Sequence, residues 1–209
     1  MGIEVFNLSR VSAIEDAANS ESSPKGYALM SARVDSDHSS RIDALQEQGF
    51  LVREVSLHPV LLRSHVKKLT ENSIDVVVQE ATGLDLEPLS KIAASSFQIS
   101  RFHREPQVSN SSANNRFANW VATSLSNPSH TVLNAMNDSG EILGFFIISF
   151  ENRIATWLLT VVSSDYKGSG VTKKLWSKMI EECWKRGATR IETTISTDNL
   201  KVVGLYPTL

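Results

Sequence analysis

The residues from Ile154 to Arg186 constrain the fold of this chain more than any other stretch. They open with the apolar run IATWLLTVV, which is typical of a buried strand. A polar turn with two glycines, Gly168 and Gly170, follows, and apolar residues then recur at helical spacing. The first amides of a helix have no partner inside the helix, and the helix dipole places partial positive charge there. This strand, glycine turn and helix N-terminus therefore predict a site for phosphate or pyrophosphate.

Composition and charge argue against several classes of function. The chain has 209 residues and a formal net charge of −2, so we expect it to bind neither nucleic acid nor a membrane surface. No apolar run reaches the ~20 residues that a membrane-spanning helix needs. The single cysteine, Cys183, cannot form an intramolecular disulfide, which fits a reducing cytoplasm. Its helical spacing places it in the core rather than in a catalytic role.

The first third of the chain predicts a small α/β module. The pattern favours a strand over residues 26–34, a short helix that ends at Gly49 and a second strand over residues 50–60. These elements contain too few apolar residues for an independent domain. We therefore expect residues 1–72 to form a module and linker that pack on a main domain over residues 73–209.

The main domain has the pattern of a mixed α/β sheet. Its order is strand, two helices, three antiparallel strands, helix, strand and helix, with a hairpin turn at residues 137–140. The predicted strands cover residues 74–79, 131–136, 142–150, 154–162 and 190–195, and the predicted helices cover 84–97, 116–126, 171–186 and 199–206.

This order, with a glycine turn between the fourth strand and the third helix, resembles the GNAT family of acyl-CoA N-acyltransferases over residues 74–209. The family's acetyl-CoA motif, Gln/Arg-x-x-Gly-x-Gly/Ala, is similar to KGSGVT here, with Gly170 at the first required glycine. Lys167 keeps a cation at the first position, whereas Thr172 departs from the small last residue. The resemblance implies acetyl-CoA as co-substrate, bound by these residues: Val161, Val162, Lys167, Gly168, Ser169, Gly170, Val171, Thr172 and Asn199.

A second match lies near the end of the chain. Residues 199–206, NLKVVGLY, are similar to the family's Asn-x-x-Ala-x-x-Leu-Tyr. The resemblance implies that Asn199 contacts the pantetheine arm or orients the helix, and that Tyr206 protonates the leaving thiolate. A phenol pKa near ~10 suits that proton transfer. It also implies that the backbone N–H of Val161 or Val162 polarises the thioester carbonyl. The alternative for Tyr206 is packing against the sheet.

In the family this segment continues into a final strand, whereas the sequence here stops at Leu209. We therefore expect that the chain lacks the last strand of the fold, or that a neighbouring chain supplies it, and we favour the first. A sheet edge left open in this way would favour a homodimer.

A third match concerns the acceptor. Residues 100–103, SRFH, and residues 116–121, RFANWV, resemble enzymes of the TDP-fucosamine acetyltransferase type, which acetylate nucleotide-linked amino sugars. Arg101 and His103 are the candidate substrate-binding residues, and the alternative is a solvated charged loop. No general base is assigned, and the histidines lack metal-ligand spacing, so no metal is expected. The open alternatives are a peptide or small-amine acceptor, and an acyl-CoA-binding regulatory module without catalysis.

Overall fold

The computed structural model describes most of the chain: residues 4–8, 28–66, 76–98, 100–166 and 168–208. It divides the chain into two compact units, Met1–Arg53 and Glu54–Leu209. The division therefore differs from the expected one near residue 72, and most of the predicted linker lies outside the described residues. No helix in the described part of the chain has the length and apolar character to cross a membrane.

Among its described residues, 4–8 and 28–53, the first unit contains two strands and one helix. Strand β1 (Glu4–Leu8) pairs in parallel with β2 (Ala28–Ala32). Helix α1 (Ser39–Glu47) follows, and Gly49 just beyond it has a φ of +86°. Glycine tolerates this left-handed conformation, which commonly ends a helix. The sequence pattern predicts β2 and α1 but not β1. Parallel strands are not joined by a hairpin turn, so β1 has no turn sequence beside it that would mark it as a strand.

The second unit is built on a mixed sheet. Its strands are β3 (Ser56–Leu57), β4 (Val60–Leu62), β5 (Val77–Glu80), β6 (Thr131–Met136), β7 (Ile142–Glu151), β8 (Ile154–Val162), β9 (Arg190–Thr193) and β10 (Ile195–Ser196). Its helices are α2 (Leu86–Ser96), α3 (Asn110–Leu125), α4 (Val171–Lys185) and α5 (Leu200–Leu205). The six-stranded sheet has the order β4-β9-β8-β7-β6-β5, and only β8 and β9 pair in parallel. The predicted mixed α/β fold is confirmed.

Two hydrophobic layers sandwich the sheet, with α4 on one face and α2 and α3 on the other. A β-bulge at Leu158 changes which layer the side chains of β8 enter, because Ile147 pairs with Leu159 while Ile148 pairs with Trp157. Trp157 therefore packs in the α4 layer, whereas Leu159 packs in the α2/α3 layer. The bulge lies where β8 leaves its parallel partner.

The outer edge of β9 is covered by a segment from the start of the second unit. Residues 55–63 run antiparallel to residues 189–197, with β4 on β9 and β3 on β10. The sequence pattern assigns this segment to the N-terminal module, because periodicity indicates that a strand exists but not which strand it pairs with. The edge that was expected to be open is thus paired within the chain, and it no longer supports a homodimer.

Helix α3 begins six residues earlier than the predicted start at Arg116. Its N-cap is Ser109, whose hydroxyl oxygen accepts a hydrogen bond from the Ser112 N–H at 3.1 Å. The first turn contains Ser and Asn residues, which favour caps and turns over helix interiors. The first turns of α3 therefore have a low helix propensity and are not predicted from the sequence. The N-cap and the packing of α3 on α2 stabilise them.

Candidate functional site

Strands β8 and β9 separate at the carboxyl end of β8 and open a V-shaped cleft. They pair only from Ile154 to Trp157, although β8 continues to Val162. The Thr193 hydroxyl donates a hydrogen bond to the Trp157 carbonyl at 3.0 Å, at the fork of the cleft. Beyond the fork, β10 pairs with β3 instead of β8. The backbone of the second half of β8 is therefore open on the side away from β7.

The alternation of antiparallel pairing indicates which amides of β8 face this cleft. The Ser163 N–H donates to the Leu143 carbonyl of the β7 side at 2.9 Å. Two residues earlier, Val161 has the same orientation, so its backbone groups also point towards β7. The backbone groups of Thr160 and Val162 point the other way, into the cleft. Of the two valines named from the sequence, Val162 has its N–H on the cleft side.

The glycine turn, residues 166–171, connects β8 to α4. Gly168 and Gly170 have φ values of +86° and +81°, and a Cβ at either position would meet nothing within 4 Å. Gly170 is the N-cap of α4, so the first amides of this 15-residue helix have no partner within it. Open space, first-turn amides without a partner in the helix and the helix dipole are the features that a helix N-terminus uses to bind an anion. Lys167, the predicted cation, lies outside the described residues.

Side-chain hydrogen bonds brace the glycine turn. The Ser169 hydroxyl donates to the Tyr166 carbonyl at 2.7 Å and accepts from the Val171 N–H at 3.4 Å. The Tyr166 phenol donates to a Glu141 carboxylate oxygen at 2.6 Å. That bond lowers the pKa of Glu141 and raises the pKa of Tyr166. Thr172 is half-buried in the first turn of α4. The described residues of the predicted motif are thus held together at one place.

The second predicted group lies on α5. Asn199 is the N-cap of α5, and its side-chain oxygen accepts from the Val202 N–H at 3.4 Å. This contact supports the interpretation that Asn199 orients the helix. Tyr206 follows α5 directly, and its side chain packs against the α4 layer.

The Tyr206 phenol oxygen is buried and makes no hydrogen bond of regular geometry within the described part of the chain. Burial raises the pKa of Tyr206, and the nearby Trp176 and Thr193 partly offset that effect. A buried polar atom without a partner is costly. The phenol is therefore protonated at neutral pH and suited to donate to a group that enters beside it.

A small cavity lies next to Tyr206. Its volume is about 70 Å³, and its lining consists of residues 59–61 with Trp157, Ile191, Thr193 and Tyr206. Ordinary ligand pockets occupy roughly 300–1,000 Å³. The cavity can therefore hold only a few atoms of a ligand, and the remainder must lie along the open cleft and the glycine turn.

The loop between α2 and α3 contains the two candidate substrate-binding residues. His103 contacts the Ser100 hydroxyl through Nδ1 at 2.8 Å and the Asn114 side-chain oxygen through Nε2 at 2.9 Å. Both ring nitrogens of His103 are hydrogen-bonded within the protein. His103 therefore links the loop to α3, and neither nitrogen is available to act as a general base. Arg101 lies over the Phe102 ring, 4.9 Å from its centroid.

An ion pair that the sequence did not reveal ties this loop to the start of α5. Arg104 Nη2 lies 2.7 Å from a carboxylate oxygen of Asp198, the residue before the N-cap Asn199. The hydrogen bond from Arg104 lowers the pKa of Asp198. The Ser96 hydroxyl at the end of α2 also donates to the Val162 carbonyl at 3.3 Å. The α2–α3 loop therefore lies beside the cleft and the helix that precedes Tyr206.

The remaining candidates have structural explanations. Cys183 is buried, accepts a hydrogen bond from Trp157 Nε1 at 3.3 Å, and has its pKa raised by burial to about 11, so its predicted core position is confirmed. Among the described residues, one group brings potential metal-ligand atoms within 4.8 Å of one another: Asp35, Asp37 and His38 in the first unit. An exposed acidic group of this kind is common without a metal, and the expected absence of a metal stays a prediction.

Comparisons with known proteins agree with this geometry. Residues 88–209 match the model of the acetyltransferase (GNAT) family. The comparison with curated proteins gave no significant similarity. A solved structure, the GCN5-related N-acetyltransferase of Sphaerobacter thermophilus, has 15% identity and a TM-score of 0.57, over 80% of this chain and 50% of its own.

Two further solved structures are similar to this chain. A spermidine N-acetyltransferase chimera that includes the Vibrio cholerae enzyme has 12% identity and a TM-score of 0.50, over 64% of this chain and 78% of its own. The PaiA N-acetyltransferase of Thermoplasma acidophilum, in complex with coenzyme A, has 18% identity and a TM-score of 0.49, over 65% of this chain and 88% of its own.

Proposed function

Since this chain belongs to the acetyltransferase (GNAT) family and is an acetyl-CoA-dependent N-acetyltransferase, we propose that it acetylates the primary amine of an amino sugar carried on a nucleotide. The amine attacks the thioester directly, without an acetylated enzyme as intermediate. A reducing cytoplasm, where the single buried thiol is stable, is the proposed location.

The glycine turn and β8 are the proposed binding surface for acetyl-CoA. The pyrophosphate lies on the free amides at the start of α4, with Gly168 and Gly170 leaving room for its close approach. The pantetheine arm lies in the cleft, where the Thr160 backbone and the Val162 N–H lie beyond the pairing with β9, whereas the Val162 carbonyl accepts from the Ser96 hydroxyl. This arrangement runs the thioester end of the cofactor along the open half of β8, within the cleft whose fork lies beside Tyr206.

The proposed reaction needs a neutral amine, a polarised carbonyl and an acid. The amine nitrogen forms a bond to the thioester carbon and loses a proton to solvent, while the Val162 N–H stabilises the negative carbonyl oxygen. The carbon–sulfur bond then breaks, and the thiolate takes a proton from the Tyr206 phenol. The products are the amide and free coenzyme A, and Tyr206 regains its proton from solvent.

One observation carries the choice of acceptor. The two parts of the amino-sugar-type motif, residues 100–103 and 116–121, form one contiguous structure beside the cleft. Arg116 lies over the Phe102 ring at 4.1 Å, and His103 is bonded to both Ser100 and Asn114. The Arg104–Asp198 ion pair ties this structure to the helix before Tyr206. The motif therefore frames the space from which an amine would reach the thioester.

A panel of amines incubated with acetyl-CoA tests the proposal. The panel contains TDP- and UDP-linked amino sugars, the same sugars without nucleotide, spermidine and peptides with free N-termini. Release of coenzyme A and mass spectrometry of the products are measured. We expect acetylation of nucleotide-linked sugars to have the highest kcat/KM, and a preference for spermidine or peptides would refute the proposed acceptor.

A further inference from the structure

The Arg116 guanidinium is a half-buried cation that lacks a counter-charge within the described part of the chain. Its contacts there are aromatic rings, with centroids 4.1 Å away at Phe102, 5.9 Å at Phe117 and 5.4 Å at Trp120. Aromatic faces attract cations but satisfy none of the five guanidinium N–H donors. Half-buried arginines usually bind a carboxylate or a phosphate.

A second cation shares the same ring. Arg101 lies 4.9 Å from the Phe102 centroid, and Arg116 lies 4.1 Å from it. We call Arg101, Phe102 and Arg116 the arginine cluster. Burial, followed by the charge of Arg101, lowers the pKa of Arg116. Two like charges held at one ring are unfavourable by themselves, so an anion bound between them would relieve the repulsion.

The arginine cluster belongs to the structure that lies beside the cleft. Phe117 and Val161 belong to the same hydrophobic layer, so the middle of α3 packs on the face of the sheet that carries the Val161 side chain. The α2–α3 loop is fastened to the start of α5 through Arg104 and Asp198. An acceptor whose amine reaches the thioester would therefore extend its other end towards these arginines.

We propose that the arginine cluster binds the diphosphate of the acceptor, with the Arg116 fork donating to phosphate oxygens and the Phe102 ring holding both guanidinium groups in place. This inference rests on the proposed function, because it assigns the anion to a nucleotide-linked sugar. The structure then has two anion sites, one built from backbone amides for coenzyme A and one built from side chains for the acceptor.

The test compares Arg116→Gln and Arg116→Lys with the wild type. Inorganic pyrophosphate is titrated by calorimetry into protein saturated with coenzyme A, so that the glycine turn is already occupied. Because Arg116→Gln removes a charge-assisted hydrogen bond, we expect it to weaken pyrophosphate binding at least about tenfold. We expect a similar rise in KM for the nucleotide-linked acceptor, with the KM for acetyl-CoA unchanged. Arg116→Lys keeps the positive charge but loses the planar, two-pronged donor geometry of the guanidinium. Its affinity for pyrophosphate should therefore lie between those of the wild type and Arg116→Gln.

Arg190→Gln is the matched control, because Arg190 is paired with Glu192 at the far end of β9. It should leave pyrophosphate binding unchanged, and near-ultraviolet circular dichroism verifies that each variant is folded. Unchanged pyrophosphate binding in folded Arg116→Gln would overturn the inference, even if nucleotide-linked sugars are acetylated. Arg116-dependent pyrophosphate binding without acetylation of such sugars would support the anion site and refute the proposed acceptor. A loss confined to acetyl-CoA affinity would assign the arginines to the cofactor and overturn the inference.

Discussion

The glycine turn and the arginine cluster are the two proposed sites for the same kind of anion, and they are built differently. The glycine turn uses backbone amides at a helix N-terminus and needs positive φ values at Gly168 and Gly170. The arginine cluster uses side chains, held by the Phe102 ring and by the loop that His103 fastens to α3. A backbone site depends on a few residues adjacent in sequence, whereas the side-chain site depends on residues from a loop and a helix.

This difference explains why one site is visible in the sequence and the other is not. A turn that requires glycine leaves a glycine pattern between a strand and a helix. An arginine pair leaves no pattern, because Arg101 and Arg116 are common surface residue types, and what distinguishes them is the Phe102 ring that both contact. We therefore expect that a substitution in one site weakens binding there and leaves binding at the other site unchanged.

The largest expected effect is on the chemistry that lies between the two sites. We expect Tyr206→Phe to lower kcat by about 100-fold or more, because a general acid contributes roughly 10²–10⁴-fold. Acetyl-CoA binding and acceptor KM should stay near wild-type values, since neither anion site loses a group. Because burial raises the pKa of Tyr206, the phenol stays protonated through neutral pH, and the loss should be equal at every pH there. Stopped-flow measurement of coenzyme A release gives the kcat of each protein. A Tyr206→Phe variant that keeps most of the wild-type kcat would show that Tyr206 is not the general acid.

The next effect concerns the packing that supports the glycine turn. A Cβ at Gly144 of β7 would stand 2.9 Å from Leu175 Cδ1 of α4 and would overlap the Val161 carbonyl oxygen. We expect Gly144→Ala to destabilise the fold by about 2 kcal/mol, the usual cost of overpacking. Urea unfolding measures the change. Gly204→Ala is the control, because a Cβ there meets nothing within 4 Å, and equal stability of the two variants would contradict the packing argument.

A third effect separates the two anion sites. Gly170→Ala places a side chain at a φ of +81°, where the left-handed conformation costs roughly 1–2 kcal/mol. We expect acetyl-CoA to bind about tenfold more weakly, while the acceptor's KM is unchanged. Gly187→Ala is a matched control at the other end of α4, since Gly187 has a φ of +90°. Calorimetry with coenzyme A should detect the loss only in the first variant, and equal losses in both would indicate general unfolding of α4.

The smallest effect concerns the loop that holds the arginine cluster. Asn114→Ala removes the partner of His103 Nε2, a hydrogen bond whose net contribution is about 1 kcal/mol. We expect the acceptor's KM to rise about threefold to fivefold, with acetyl-CoA affinity unchanged. Asn115→Ala, at an exposed neighbouring position, should have no effect. A change in acetyl-CoA affinity instead would place the loop on the cofactor side.

Local patterns in the sequence predicted most of the second unit. Strands β6 and β8 have the predicted boundaries, because each is a short apolar run bounded by turn residues. The hairpin at residues 137–140 follows from its Asn-Asp-Ser-Gly sequence. Both the glycine turn and the Asn199 cap were located from motifs, and their roles towards acetyl-CoA stay predictions.

The features that were missed depend on contacts between distant residues. Residues 55–63 cover β9, and the partner of an edge strand cannot be deduced from its own alternation. The Arg104–Asp198 ion pair joins two loops that are far apart in the chain. Gly144 carried a usable signal, because a glycine inside an apolar strand often marks a close backbone approach.

Selectivity for the nucleotide is the most direct test of the account. The kcat/KM for an amino sugar linked to TDP or UDP is measured against that for the same sugar without nucleotide, in the wild type and in Arg116→Gln. The account predicts that the wild type prefers the nucleotide-linked sugar by at least about tenfold, as one charge-assisted contact allows, and that Arg116→Gln loses this preference. Equal kcat/KM values for the two sugars in the wild type would contradict it.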